Sequence, residues 1–400
     1  MAHPHRPTRM PTAALVAAAL AGGAALAACT AARAPEPAPL VPAWRPADLP
    51  APPAGLPRRM VRAASWCGDR WYLAGAVGDA AGATRPAAWS SVDGRSWRAL
   101  PLAPRTYYGR QHVLYTVACR DGRPAVLGAK SGGAHGNPRT SNWAPGAAGT
   151  LTEVVSGFEL YGGPTAVNVA RVVAGPAGYL IAGNRMSGAA VWRSGDGGEF
   201  RITERAPGLA SDGEGETWAH DAAAVPAGWL VVGGIVRRGR TERDPLAWLA
   251  PADGAAWRRV PVPGGGEFDE LHRVVVAGDT PVAVGPDGSS FAAWQAGQGG
   301  EGWRRAGRFG ALPAGGVPAV TALVGGASGL VAAVGDQHLT ALWQSADRGG
   351  TWRPVQSPAA LRACGDCAVT LAAGPGGLLL TADDGSRTSV WTAPDVSVAR

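Results

Sequence analysis

The spacing of tryptophan constrains this sequence more than any other feature. One series of tryptophans recurs at a mean interval of about 50 residues, with single intervals between 46 and 56. A second large apolar residue follows each of the first six members by eight or nine positions. A fixed period of about 20–50 residues indicates a chain built from repeated supersecondary units. The seven members are Trp89, Trp143, Trp192, Trp248, Trp294, Trp343 and Trp391.

A tight turn is predicted between the two apolar positions of each repeat. The fullest copy spans residues 345–352, two shorter copies span 91–97 and 194–200, and a weaker one spans 252–257. Aspartate side chains in such turns accept backbone N–H bonds, and glycine supplies positive φ. The residues assigned to this structural turn are Ser91, Asp93, Trp97, Ser194, Asp196, Phe200, Asp253, Trp257, Ser345, Asp347 and Trp352.

These turns resemble the Asp-box, or BNR repeat, of sialidases and other β-propellers, whose pattern is Ser-x-Asp-x-Gly-x-Thr-Trp. The segment 345–352 matches it fully, and the other copies carry a deletion or are degenerate. The resemblance implies a β-propeller of the sialidase-like superfamily in which the boxes are structural. It does not choose an activity, because xyloglucan hydrolases, photosystem II assembly factors and sorting receptors carry the same box.

Each repeat is predicted to contain four antiparallel strands. An apolar run ending in a small residue precedes the turn, as in residues 71–75, 179–183 and 229–233, and a shorter apolar run such as 169–174 precedes that. Seven such units predict an all-β chain forming a seven-bladed β-propeller. Two β-sandwiches would not explain one register kept over about 300 residues. The predicted blades are approximately 58–101, 111–155, 167–204, 218–261, 271–307, 317–356 and 366–400.

The seventh repeat lacks a convincing outer strand, because the chain stops soon after Trp391. Residues 42–48 resemble the outer-strand segments that begin at Trp97 and Trp257. We therefore predict that this N-terminal segment completes the last blade. Such closure removes the open sheet edges that a linear array would expose. Residues 42–400 are then a single domain.

The N-terminus has the pattern of an export signal. Two arginines precede an apolar run of 14 residues, 13–26, which is too short to span a bilayer. The run ends in Leu-Ala-Ala-Cys at 26–29, which resembles a bacterial lipobox of the actinobacterial type. The resemblance implies a signal peptide over 1–28, lipidation of Cys29 and a position on the outer face of the cytoplasmic membrane. Residues 29–41 are the expected Ala/Pro-rich tether. A cleaved signal with an incidental cysteine is the alternative.

Four further cysteines follow the signal. Export places them in an oxidising compartment, where disulfides are expected. Cys67 and Cys119 end adjacent predicted inner strands, which converge near the axis, so we pair them with each other. Cys364 then pairs with Cys367. No histidine lies near these cysteines and no helix follows them, so we predict no metal, no redox site and no cofactor.

The positive charge of the chain does not indicate nucleic-acid binding. The formal net charge is +7, and 36 of the 37 basic residues are arginine. The densest arginine cluster, 237–243, is interrupted by Glu242 and followed by Asp244, which is typical of a solvated loop. We expect a monomer whose partners are the membrane, through the lipid, and a protein or glycan ligand.

Ligands of a propeller are expected over one face, formed by the outer-to-inner connections and the loops between second and third strands. Function concentrates on such scaffolded loops. His220 and His272 occupy roughly matching inner-strand positions and are expected to face the axial channel. The candidate ligand-binding residues are Arg105, Tyr108, Arg110, His112, Tyr161, Trp218, His220 and His272.

Two functions remain open. The first is a non-catalytic binding or scaffold module for a protein, glycan or envelope component. The second is a sialidase-like exo-glycoside hydrolase, with a tyrosine nucleophile and acidic partners drawn from Tyr107, Glu216 and Asp269. The Arg-Ile-Pro motif of sialidases is absent near the first repeat, which favours the first. A non-catalytic module is expected to lack clustered arginines at the channel mouth. An arginine triad beside a Tyr–Glu pair would indicate the hydrolase instead.

Overall fold

The computed structural model describes residues 37–132 and 138–394. The described chain forms seven antiparallel β-sheets in succession, each built from one sequence repeat. Every inner strand contacts the inner strand of the next sheet, and the seventh contacts the first, so the ring is closed. The predicted all-β, seven-bladed propeller is confirmed. The predicted signal peptide and Cys29 lie outside the described residues.

Each blade has an inner strand next to the axis, followed outward by a second, a third and an outer strand. The inner strands are Arg58–Cys67, Val113–Arg120, Ala166–Gly175, Gly215–Val225, Arg273–Ala277, Ala319–Gly326 and Cys367–Gly374. The second strands are Arg70–Gly78, Arg123–Lys130, Gly178–Arg185, Gly228–Arg237, Thr280–Asp287, Gly329–Gly335 and Gly377–Asp384. The third strands are Thr84–Ser91, Arg139–Pro145, Gly188–Ser194, Arg243–Ala250, Ser290–Gln295, Leu339–Ser345 and Thr388–Ala393. The outer strands are Arg98–Ala99, Leu151–Glu153, Arg201–Thr203, Arg258–Pro261, Arg304–Phe309, Arg353–Val355 and, for the seventh blade, Arg45–Ala47.

Two short strands and three short helical turns are added to the four-stranded blades within the described residues. A fifth strand, Leu102–Ala103, pairs in parallel with the outer strand of the second blade, and Leu361–Arg362 pairs with the third strand of the sixth. The helical segments are one α-helical turn, Phe158–Tyr161, and the 3-10 turns Gly109–Gln111 and Ala147–Gly149. Within the described ranges, no helix has the length and hydrophobicity needed to cross a membrane.

An N-terminal strand closes the seventh blade, as the sequence predicts. Arg45–Ala47 pairs antiparallel with residues 390–392. The same segment also bridges the neighbouring blades, because Leu40 pairs with Val355 of the sixth and Asp48 with Ser96 of the first. Leu40 is buried in the core, although it falls within the tether predicted over 29–41. The packed domain therefore begins before residue 42.

Tryptophans of the repeat fill the space between blades. Trp143, Trp192, Trp248 and Trp294 are completely buried. Each core cluster joins neighbouring sheets; Trp248, for example, packs with apolar residues of the third and fourth blades. Because both faces of a blade are covered, the second strand Gly178–Arg185 is buried at every position. The aromatic surplus of the sequence is therefore mainly packing between sheets.

The predicted turns are held by their own side chains. In the fullest copy, the Ser345 hydroxyl lies 2.8 Å from the Asp347 carboxylate, which accepts the Thr351 N–H at 2.8 Å. The closing Trp352 indole donates to the Gly349 carbonyl at 3.1 Å. In the first copy, backbone N–H groups of Ser96 and Arg95 hold the pKa of Asp93 well below its usual range. These contacts are local, so the turn motif specifies its own conformation.

A β-bulge interrupts five inner strands at the same register position. The unpaired residues are Arg62, Tyr115, Ala170, His220 and Thr321. Opposite four of these bulges the second strand carries a glycine, at positions 75, 128, 183 and 233. A Cβ on Gly75 would collide with the Met60 carbonyl, and one on Gly233 with the Trp218 carbonyl. The glycine that ends the apolar run therefore marks the bulge on the neighbouring strand.

Both predicted disulfides are present. Cys67 and Cys119 join the ends of the inner strands of the first two blades, with Cα atoms 5.3 Å apart. Cys364 and Cys367 bridge the connection into the seventh blade, with Cα atoms 4.8 Å apart. The first disulfide links adjacent blades, and the second constrains a single loop.

The N-terminal closure predicts an asymmetric effect of two adjacent substitutions. Leu40→Ala should lower the free energy of unfolding by about 2–4 kcal/mol, because it leaves a cavity beside Leu342 and Val355. Val41→Ala should change it by no more than about 0.5 kcal/mol, because Val41 is 73% exposed. Denaturant unfolding of both variants measures the difference. Equal effects of the two substitutions would contradict the conclusion that this N-terminal segment holds the last blade to its neighbours.

Candidate functional site

An axial channel of about 340 Å³ has a mainly polar wall. All seven inner strands contribute to this wall, and so do all five bulge residues, four of which have polar side chains. One polar lining residue from each blade illustrates its character: Arg62, Thr116, Arg171, His220, Arg273, Thr321 and Thr370. The sequence indicated a channel but did not single out its arginines, and only Arg62 among them is a bulge residue.

The arginines of the channel differ in their partners. Arg62 forms an ion pair with the buried Asp383, and Arg171 lies 3.2 Å from the Asp221 carboxylate. Arg273 donates to the His272 carbonyl at 2.7 Å and forms no ion pair within the described part of the chain. Among the described residues, Arg273 is therefore the channel arginine without an ion pair, although Asp221 acts on it at longer range.

The environment of Arg273 is unfavourable for its charge. Burial lowers the pKa of Arg273 to about 10, and the nearby Arg171 guanidinium contributes to the decrease. Arg273 remains protonated at neutral pH, since its pKa still lies well above 7. An anionic group entering the channel would relieve this unbalanced charge.

The expectation that the channel lacks clustered arginines is wrong, because three blades each supply one. The Tyr–Glu pair of a sialidase does not accompany them in the described residues. Tyr115 is the tyrosine of the channel wall, and its hydroxyl donates to the Val169 carbonyl at 2.8 Å. Burial raises the pKa of Tyr115 well above its usual range, which disfavours a phenolate nucleophile.

His220, which lines the channel, forms a compact cluster with Glu270 and His272. The Glu270 Oε1 atom lies 2.9 Å from His220 Nε2, and Oε2 lies 3.2 Å from His272 Nε2. Arg243 donates to the same Oε2 at 2.8 Å. The two imidazole centroids are 4.6 Å apart, and the Trp218 ring lies 6.5 Å from that of His220. The matching positions of the two histidines therefore bring them together.

The cluster has defined protonation states. Burial alone would favour a neutral Glu270, but the neighbouring His220 and His272 hold its pKa well below the usual range. Burial lowers the pKa of His272 to about 4. At neutral pH, Glu270 is ionised and His272 is neutral. Sequence analysis missed Glu270 and Arg243 as members of this cluster, because their contacts with the two histidines depend on how adjacent blades pack.

Three predicted ligand-binding residues, Arg105, Tyr108 and Arg110, lie on one connection together with the catalytic candidate Tyr107. Tyr107 is exposed, and its ring contacts that of Tyr108 at a centroid distance of 5.3 Å. Arg105 and Arg110 are also exposed, and Arg110 donates to the Thr106 carbonyl at 3.1 Å. This connection belongs to the face formed by the outer-to-inner connections and the loops between second and third strands. We call it the loop face.

Two other predicted ligand-binding residues are in the interior instead. His112 is completely buried, and the Trp143 indole donates to its Nδ1 at 3.3 Å. Burial lowers the pKa of His112 to about 4, so it is a neutral core residue. Tyr161 is buried as well and donates to Asn142 Oδ1 at 3.1 Å. Both predictions are wrong for the same reason: the bonding groups of these side chains are used inside the fold.

The three candidate catalytic residues do not form one site. In the described chain, no hydrogen bond, ion pair or ring contact joins Tyr107, Glu216 and Asp269. Glu216 is exposed in a groove of about 380 Å³, which Trp218 also lines. Asp269 is completely buried, so it is closed to a substrate. Their grouping as a catalytic set is therefore wrong.

Asp269 belongs instead to a buried carboxyl pair. Arg305 Nη2 lies 3.3 Å from Asp269 and 2.9 Å from Asp287. Burial raises the pKa of Asp269 to about 6, and Asp287 contributes by its like charge and its hydrogen bond. One arginine thus serves two carboxyls, one of which holds a proton in mildly acidic solution.

The loop face carries most of the exposed apolar side chains. Nine large hydrophobic side chains are exposed within residues 37–132 and 138–394, and seven of them lie on this face. Arg139 covers one of them, with its guanidinium carbon 4.2 Å from the Phe158 ring centroid. The seven residues are Tyr107, Val155, Phe158, Val167, Met186, Val317 and Leu339.

Solved structures resemble this fold over most of its length. The Swd1 β-propeller domain of Myceliophteria thermophila matches at 12% identity and a TM-score of 0.53, covering 88% of this chain and 99% of that one. YCF48 bound to a D1 peptide matches at 14% identity and 0.50, covering 88% and 97%. Trypanosoma rangeli sialidase matches at 10% identity and 0.44, covering 89% and 57%. No family model and no curated protein matches the chain. At these identities the likeness concerns the fold alone.

The buried carboxyl pair predicts a pH-dependent stability. Folded Asp269 keeps its proton up to about pH 6, whereas the unfolded residue loses it near pH 3.8. The folded state therefore binds more protons between these values, and the free energy of unfolding falls as the pH rises through them. Wild type should lose about 2–3 kcal/mol relative to Asp269→Asn between pH 4 and 7.

Denaturant unfolding at several pH values measures this difference. The matched control is Glu199→Gln, because Glu199 is exposed and lies outside the pair. Its difference from wild type should not change over the same pH range. A wild-type stability that rises relative to Asp269→Asn would contradict the raised pKa.

Proposed function

We propose that this chain is a non-catalytic binding module that takes a protein ligand on its loop face. The observation that carries the proposal is the concentration of seven exposed large hydrophobic side chains on this face. Exposed apolar surface is typical of a protein-binding site when it gathers on one face and polar groups surround it. Loops held by a rigid scaffold are well suited to such recognition.

The axial channel gives this ligand a second point of attachment. Arg273 lines the channel and has no carboxylate partner in the described ranges. An acidic side chain or a terminal carboxylate of the ligand, inserted from the loop face, would pair with it. Arginine–carboxylate pairs are among the stronger and more directional polar contacts. A YCF48 structure of similar fold holds a D1 peptide, which is a precedent for peptide binding by such a propeller.

A sialidase-like hydrolase is the second candidate. The three arginines of the channel favour it, because sialidases clamp the substrate carboxylate with three arginines. Two of these arginines already pair with Asp383 and Asp221. Tyr115 has a carbonyl partner in place of a glutamate, and Tyr107 and Glu216 lie elsewhere on the loop face. A binding module therefore accounts for more of these contacts than a hydrolase does.

We further propose that the module is displayed outside the cytoplasm. The lipobox at 26–29 supports anchoring through lipidated Cys29, as in an actinobacterial lipoprotein. The turn contacts of Ser345, Asp347 and Trp352 support assigning the repeats to the Asp-box class. On this proposal the protein is a monomer attached to the outer face of the cytoplasmic membrane, and no nucleic acid is a partner.

The binding proposal predicts that one face controls ligand capture. Immobilised protein comprising residues 30–400 should capture a specific protein from an envelope extract. Phe158→Asp should abolish the capture, because it places a charge in the apolar surface. Arg273→Gln should weaken it by about tenfold, equivalent to about 1.4 kcal/mol. Val92→Asp is the matched control, because Val92 is 66% exposed on a turn of the opposite face.

Two outcomes would count against this function. Capture that survives Phe158→Asp but fails in Val92→Asp would place the ligand on the other face. Turnover of a fluorogenic sialoside panel by the purified protein, lost on replacing Tyr107 or Glu216, would establish the hydrolase. We expect no turnover. Thermal unfolding of each variant separates loss of binding from loss of folding.

The anchoring proposal predicts a change in fractionation. Cys29→Ala should release the protein from membranes into the soluble extracytoplasmic fraction, because the acyl chains would no longer be attached. Cys29→Ser serves as a second variant of closer shape. Immunoblotting of membrane and soluble fractions measures the shift. An unchanged distribution would exclude lipidation as the anchor.

A further inference from the structure

We propose that His220, Glu270 and His272 form a binding site for a divalent transition metal ion, with Zn²⁺ as the expected occupant. The cluster lies at the junction of the fourth and fifth blades, where His220 lines the axial channel. This inference is independent of the proposed protein ligand. It reverses the expectation, drawn from the sequence, that the chain has no metal site.

The donor atoms are close enough to share one ion. One nitrogen from each imidazole and one carboxylate oxygen all lie within 4.8 Å of one another. Four-coordinate Zn²⁺ has bonds of about 2.0–2.1 Å, which place its ligand atoms about 3.3 Å apart. The distances from Glu270 to His220 and His272 are 2.9 and 3.2 Å. A small rotation of the imidazoles closes the remaining gap.

Unsatisfied buried atoms point to a missing cation. Glu270 is 99% buried, yet its Oε1 has no hydrogen-bond partner. His220 Nε2 lies 2.9 Å away but is not aligned for a hydrogen bond, and it too has no partner. Leaving buried polar atoms unpaired is costly in folded proteins. An ion between them would satisfy both atoms at once.

The remaining carboxylate oxygen is already held in place. Arg243 donates to Glu270 Oε2 at 2.8 Å, which leaves Oε1 directed at the cluster. Metal-bound carboxylates commonly have such an outer hydrogen bond, which fixes their orientation. The positive charge of Arg243 opposes a second cation, so we expect an affinity of about micromolar rather than nanomolar.

The donor set selects the class of metal. Two imidazole nitrogens with one carboxylate oxygen suit Zn²⁺ and related first-row ions, whereas Mg²⁺ and Ca²⁺ prefer oxygen ligands. Three protein ligands leave a fourth coordination position open. The side chains of His220 and His272 are 21% and 16% exposed. The open position therefore faces the channel, where water or a donor group of a ligand can occupy it.

The fold explains why this cluster forms between two blades. His220 is the bulge residue of the fourth inner strand. In the fourth blade Gly233 faces the carbonyl of Trp218, two residues before His220, and in the fifth blade Gly285 faces the carbonyl of Glu270, two residues before His272. His272 therefore occupies the position in the fifth blade that matches His220 in the fourth. Equivalent positions of adjacent blades converge at the axis. A pair of histidines at this register is thereby placed on one site.

Titration calorimetry with Zn²⁺ tests the proposal, using the full chain purified without a polyhistidine tag. Wild type should bind one ion at this site. His220→Ala, His272→Ala and Glu270→Gln should each weaken that binding by at least about 30-fold, equivalent to about 2 kcal/mol. His338→Ala is the matched control, because His338 is exposed and lies outside the cluster. It should leave the affinity unchanged.

Two further readouts keep the test informative if a variant is unstable. Co²⁺ bound to wild type should give the intense visible absorption of a four-coordinate site, and Glu270→Gln should abolish it while keeping the shape of the side chain. Zn²⁺ should raise the unfolding temperature of wild type and of His338→Ala only. Mg²⁺ should produce neither the visible absorption nor the rise in unfolding temperature. Absence of Zn²⁺ binding, or equal binding by wild type and all three cluster variants, would overturn the proposal.

Discussion

Closure of the ring is the constraint on which the rest of this structure depends. Each blade buries apolar side chains on both faces against its neighbours, so an open ring would expose apolar surface to water. The seventh blade is completed by residues far away in sequence, Arg45–Ala47, and the same segment contacts the blades on either side. Buried Leu40 extends this closure to the sixth blade. The first and last parts of the chain are therefore required together before the channel has a complete wall.

The channel derives its chemistry from a repeated backbone irregularity. A bulge in five inner strands turns one residue per blade out of the ladder, and the glycine opposite makes room for it. A regular strand would alternate its side chains between the two covered faces of the blade. The bulge gives the fold a variable position that core packing does not constrain. Arg62, Tyr115 and His220 occupy such positions, and this explains why the channel is polar although the blades are apolar.

Most charged side chains in and around this channel form ion pairs with oppositely charged side chains of the same chain. Asp383 and Asp221 neutralise Arg62 and Arg171, and Arg243 anchors Glu270. Pairing of this kind is necessary because an isolated buried charge is costly. Arg273 is the exception, and the proposed carboxylate contact depends on it. The channel and the apolar loop face are thus separate sources of recognition: one offers charge and coordination, and the other offers hydrophobic area.

The sequence by itself determined the seven blades, their closure, the turns and the disulfide partners. All of these follow from local signals, because each repeat carries its own apolar pattern and its own turn residues. Only the tertiary structure decided which polar residues meet. His112 and Tyr161 share residue types with good ligands but are used in the core, whereas Arg273, which lines the channel, and the buried Glu270 matched no motif. The convergence of His220 and His272 depends on bulge register and blade order, and these place side chains from different repeats within a few ångströms of each other.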